Sequence, residues 1–137
     1  MLLGRTDHHD HLAAFHLRHV LDLAQLLHVV GDAFDLDGYL TACEAIAERG
    51  GTPVIFPSHG LNSLDDEGWV DALAAIGARI DRFIGFELGA MFVPYGRIPS
   101  LDAFEAMMGI DSCVGSKHSS LSRRLEWDRL AVRDRTG

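Results

Sequence analysis

"DRFIGFELG", residues 81–89, is the stretch on which the fold turns. Its centre is a short apolar run with no strict alternation. It is too short for a stable helix and reads as a strand buried on both faces, the kind found in parallel sheets. Two comparable runs flank it: "TPVIFPS" at 52–58 and "SCVGSK" at 112–117. The segments between them have helical periodicity. "LNSLDDEGWVDALAAIGARI" (61–80) places Trp69, Leu73 and Ile76 on one face, with Ser63 and Asp66 in capping-box spacing. "PSLDAFEAMMGI" (99–110) reads as a helix capped by Ser100 and closed by Gly109. Outside these lie two more helices. "DLDGYLTACEAIAERGG" (35–51) sets Leu40, Cys43, Ile46 and Ala47 on one side and stops at Gly50-Gly51. "LSRRLEWDRLAVRDR" (121–135) is capped by Ser122. No hairpin signal joins the strands. The alternation predicts parallel strands at 52–57, 82–87 and 112–117, adjacent in chain order and linked by right-handed crossovers.

Three strands are few for this class. A doubly wound sheet has about five or more, and a closed barrel has eight in about 250 residues. The sequence reaches "RDRTG" directly after a helix, where another strand would be due. The expected fold is therefore α/β, with parallel β/α units forming part of a (β/α)8 TIM barrel over residues 35–137. Residues 1–34 stand apart. They hold six of the eight histidines and no strand-like run, so a helical or irregular segment is expected there.

The chain has 137 residues, 47% of them hydrophobic and 23% charged, a globular composition. A net charge of -8 leaves no basic stripe for phosphates, which argues against nucleic acid as a partner. No apolar run approaches the about 18 residues of a membrane span. "MLLGRTDHHDH" (1–11) lacks the layout of a signal peptide. Cys43 and Cys113 have neither metal spacing nor a disulfide framework, so a reduced, cytoplasmic setting is expected.

In parallel α/β folds, ligands bind at the carboxyl ends of the strands. Ser58 and His59 follow the first strand, Phe86 and Glu87 the second, and Lys117, His118, Ser119 and Ser120 the third. Together they could offer an imidazole, a carboxylate, an amine and hydroxyls at one mouth. Each also has a plainer reading. Lys117 could reach over the rim, His59 could be a satisfied loop residue, Glu87 could face a helix, and the serines could cap and turn. "CVGSK" favours chemistry for Lys117, because an amine desolvated among apolar neighbours can attack a carbonyl. His9 and His11 form a His-x-His pair of the kind that metal-dependent hydrolases use. "MLLGRTD" is a poor strand to carry it, and no metal site is expected.

At "TPVIFPSHGLN", "DRFIGFELGAMFVP" and "CVGSKHSS" the chain resembles the dihydrodipicolinate synthase and N-acetylneuraminate lyase family, over about residues 36–135. The resemblance implies a class I aldolase barrel, seen here in about strands four to six. Lys117, in "GSK", takes the place of the lysine that forms a Schiff base with a 2-oxo acid such as pyruvate. It implies no cofactor, and a homo-oligomer, dimer or tetramer. Phe86 stands at the family's proton-shuttling tyrosine and Glu87 at its asparagine. Glu87 or His59 would then supply the acid/base, while Ser58, Ser119 and Ser120 would bind substrate oxygens. No loop for the substrate carboxylate is recognisable, and residues 1–34 do not resemble the family. Two other readings stand beside this one: a truncated, non-catalytic portion of such a barrel, and a small His-rich metal-binding module.

Overall fold

The computed structural model describes residues 33–136. The expectations for 1–34, including the His-x-His pair, fall almost wholly outside that range. Helix α1 spans Leu36–Ala47. The single turn α2 is His59–Asn62, and α3 is Asp66–Gly77. Strand β1 (Phe83–Leu88) is followed by α4 (Leu101–Met108), β2 (Cys113–Ser119) and α5 (Arg123–Thr136). β1 and β2 pair in parallel through the crossover helix α4, with Phe86 opposite Lys117 and Glu87 opposite His118. The described residues thus form a mixed α/β structure around a two-stranded parallel sheet.

The run at 52–58 does not become a full strand. It lies beside β1 in parallel through one bridge, Val54 to Ile84. Ile55 N–H donates to the Ile84 carbonyl at 2.9 Å, and Ile84 N–H donates to the Pro53 carbonyl at 2.8 Å. Pro53 and Pro57 lack N–H groups, so the ladder cannot extend at either end of the segment. The predicted order of the three segments holds, with the first reduced to a bridge.

Local chemistry explains the helix boundaries. Asp35 caps α1, accepting from Gly38 N–H at 3.0 Å, and Gly50 turns the chain away with φ 76. Ser100 caps α4 through Ala103 N–H at 3.2 Å, and Gly109 ends it. Ser122 accepts from Leu125 N–H at 3.4 Å ahead of α5. Helix α3 departs from expectation. Asp65 caps it, accepting from Gly68 N–H at 2.9 Å, whereas Ser63 closes α2. The unforeseen turn α2 takes up the chain that Ser63 would have capped.

Helices pack on one side of the sheet. Trp69, Leu73 and Ile76 from α3, Phe104 and Met107 from α4, and Val132 from α5 meet Phe83 of β1 in one core. Tyr39, Leu40 and Cys43 add the buried face of α1. Gly85 lets α4 approach the sheet, because a Cβ there would collide with the Met107 side chain. The outer edge of β2 has no strand partner among the described residues. Among those residues no helix is long and apolar enough to cross a membrane.

Candidate functional site

Successive side chains of a strand point to opposite faces, and the register carries that parity across the ladder. It divides the predicted site in two. Phe86 and Lys117 share the face away from the helices. Lys117 Nζ lies 4.4 Å from the centre of the Phe86 ring, and Phe56 meets the same ring edge-on at 5.1 Å. Lys117 itself is exposed, whereas Phe86 is buried. The amine therefore stands beside an aromatic floor in an open setting, not in the desolvated pocket expected from "CVGSK".

Glu87 turns the other way. Its carboxylate is fully buried on the helix side, where Arg129 of α5 grips it. Arg129 Nε donates to Oε1 at 2.8 Å and to Oε2 at 2.9 Å, and Nη2 donates to Oε1 at 2.6 Å. The same guanidinium donates to the Pro99 carbonyl at 2.8 Å. His118 Nδ1 lies 2.7 Å from Glu87 Oε2, and His118 Nε2 lies 2.5 Å from Ser120 Oγ. A buried carboxylate needs such partners to remain charged. Strand parity therefore puts Glu87 and Lys117 on opposite faces of the sheet.

The other predicted residues disperse. Ser58 caps α2 through Leu61 N–H at 3.1 Å. His59, within α2, stacks edge-on against Tyr95 with ring centres 5.7 Å apart. Ser119 is buried between the strand ends. Its hydroxyl donates to the Glu87 carbonyl at 2.9 Å and accepts from Gly89 N–H at 3.1 Å. Ser58 and Ser119 thus both bond the backbone, Ser58 as an acceptor and Ser119 as donor and acceptor. Ser120 is partly exposed and bound to His118.

Sequence reasoning missed two participants. Arg129 sits three residues before the buried Val132 in α5, a core-facing position for a charge, and that spacing was the available signal. His118 was noted at the mouth, but its pairing needed the register. A third cluster pins the loop after β1. Arg97 donates to Asp66 Oδ1 at 2.7 Å and to the Leu64 carbonyl at 3.0 Å, while Ser100 N–H donates to Asp66 Oδ2 at 3.0 Å. The Arg97 and Ser100 hydrogen bonds lower the Asp66 pKa from 3.8 to about 2. Burial raises the Cys43 thiol to about 11 and moves Cys113 upward as well, so both behave as inert core residues. Among the described residues no cluster of His, Cys, Asp and Glu could hold a metal ion.

Neither a family model, a curated protein nor a solved structure matches the chain.

Proposed function

We propose that this chain is a sector of a class I aldolase-type (β/α)8 barrel, in which Lys117 forms a Schiff base with a 2-oxo acid of the pyruvate type. One observation carries the reading. Lys117 lies on β2 beside Phe86 of β1, on the sheet face away from the helices. In a closed barrel that face is the interior, and the family resemblance at "GSK" supports the same position for an imine-forming amine. The neutral amine would add to the ketone carbon and lose water. The resulting protonated imine would accept the electron pair released when the adjacent C–C bond breaks.

Proton transfer needs another group, because Phe86 has no hydroxyl and Glu87 is held on the far side by Arg129. His59 is the remaining candidate for acid/base work. The non-catalytic reading draws its support from the same two departures. Trapping separates them. The full chain is incubated with pyruvate and borohydride, which reduces an imine to a permanent amine, and the labelled peptide is sequenced by mass spectrometry. An adduct on Lys117 that is lost in Lys117→Ala is expected. A folded protein giving no adduct with pyruvate or a panel of other 2-oxo acids would leave the non-catalytic reading.

A further inference from the structure

We infer that Ser120, His118 and Glu87 form a nucleophile–base–orienter relay, making Ser120 an acylatable serine that cleaves activated esters. The polarity of its hydrogen bonds follows from the partners. Glu87 is bidentate with Arg129, so the carboxylate is ionised and can only accept. His118 Nδ1, 2.7 Å away, must then carry the proton. In the neutral imidazole this leaves Nε2 with a lone pair, and the Ser120 hydroxyl at 2.5 Å donates to it. Ser122 N–H donates to Ser120 Oγ at 3.0 Å and holds that oxygen in place. The one other acceptor near the hydroxyl among the described residues, the Ser122 carbonyl, is longer at 3.5 Å. Both contacts that define a serine nucleophile are present: nucleophile to base, and base to orienting carboxylate.

The backbone adds a second line. Ser120 follows directly on β2, and α5 begins three residues later. Leu121 between them has φ 56, a sharp turn that a leucine adopts only under constraint. A strand, a tight turn and a helix present a serine outward with N–H groups beside it. Arg123 and Arg124 open α5, and their first-turn N–H groups have no intrahelical acceptor. His118 also lines an open groove of about 1170 Å³ between α4, β2 and α5, whose apolar walls include Phe104, Met108 and Leu130.

These features define the substrate class. Arg129 and His118 share the Glu87 carboxylate, so it stabilises developing charge on the relay less than an unshared carboxylate would. The leaving group must therefore be good, such as a phenol-like oxygen. Ser120 Oγ adds to the carbonyl carbon as its proton passes to His118 Nε2. The C–O bond to the phenol breaks and the proton departs with that oxygen. Water, deprotonated by the same imidazole, then cleaves the Ser120 ester, releasing the carboxylic acid and restoring the hydroxyl. Nothing in this sequence uses Lys117.

The test uses the full chain and a fluorophosphonate, which phosphonylates an activated serine with loss of fluoride. Tandem mass spectrometry distinguishes Ser120 from Ser119 and Ser122. Ser120 should label far faster than the other serines of the same folded protein. In His118→Asn the rate should fall by about 100-fold or more, the usual worth of a general base. Ser120→Ala should lose both the adduct and hydrolysis of 4-nitrophenyl butyrate. Labelling of Ser120 no faster than of the other serines overturns the inference. So does a folded His118→Asn that labels at the wild-type rate. If His118→Asn fails to fold, the comparison among serines in the wild type decides.

Discussion

Arg129 and Glu87 make the most consequential pair of side chains in the fold. Both are nearly or fully buried, with side-chain exposures of 6% and 0%. Removing one partner leaves the other charged and dry. Arg129→Met should therefore destabilise the protein by about 3–5 kcal/mol, read from a urea midpoint. Replacing both, as Glu87→Leu with Arg129→Met, should cost clearly less than Arg129→Met alone. Equal costs would mean that the pair is solvated in solution. Lys117 calls for a different expectation. Because it is exposed, Lys117→Ala should leave the urea midpoint within about 0.5 kcal/mol of wild type while abolishing imine trapping. What was legible here was residue type and strand end. Which face each residue takes was not, because parity across the ladder depends on a register that one sequence does not state. The apolar run "FIGFEL" hides it further, since inward and outward positions look alike when both are covered.

Strands β1 and β2 and helices α4 and α5 were legible because each has an unbroken signal: an apolar run, or a cap followed by a period. The segment 52–58 has the composition of a strand, yet Pro53 and Pro57 limit it to a bridge. Asp65 and Ser63 are both good caps, and the choice between them was settled by α2, too short for periodicity to announce. Packing between elements makes its own demand at Gly85. Gly85→Ala would push a methyl into Met107 and should cost about 1–3 kcal/mol by overpacking. A smaller loss in the Gly85→Ala, Met107→Ala double variant than the sum of the single losses would identify that contact as the cause. The Asp66–Arg97 tether makes a pH-dependent contribution. Its folded pKa, about 2, lies below the ordinary 3.8. The stabilisation is thus complete above the ordinary value and is lost as pH falls through about 2. Asp66→Asn should lower Tm near neutrality and make little difference in strong acid. An equal drop at both would show that the tether does not depend on charge.

The helices cover one side of the sheet, and the described residues leave the outer edge of β2 without a strand partner. Val114, on that strand, is 59% exposed, and Trp127 and Leu130 of α5 are exposed as well. An unpaired strand beside apolar side chains is a template for adding another strand. Val114→Lys should therefore reduce concentration-dependent light scattering without changing the melting temperature by more than a few degrees. Unchanged scattering would mean that this edge is covered in solution. The number of strands in the whole assembly was the least legible property of the sequence. Local patterns announce each β/α unit separately, whereas closure of a sheet depends on how many units follow one another.

Tyr39 remains, and its phenol does more than fill the core. It donates to the Phe56 carbonyl at 2.7 Å and accepts from Ser58 N–H at 2.8 Å, spanning the stretch where Pro57 cannot donate. One side chain of α1 thereby stands in for the missing strand partner, and it does so through a single proton. Burial raises the Tyr39 pKa above 10.0, so the proton is retained at neutrality. The clasp is present below the ordinary value and is lost as alkali takes the pH through the raised one. The segment leading to His59 is then a latch with a chemical key: it should open first in alkali, ahead of global unfolding. Its opening would be seen as faster amide exchange at Ser58 in step with tyrosinate absorbance, and Tyr39→Phe would carry that open state down to neutral pH.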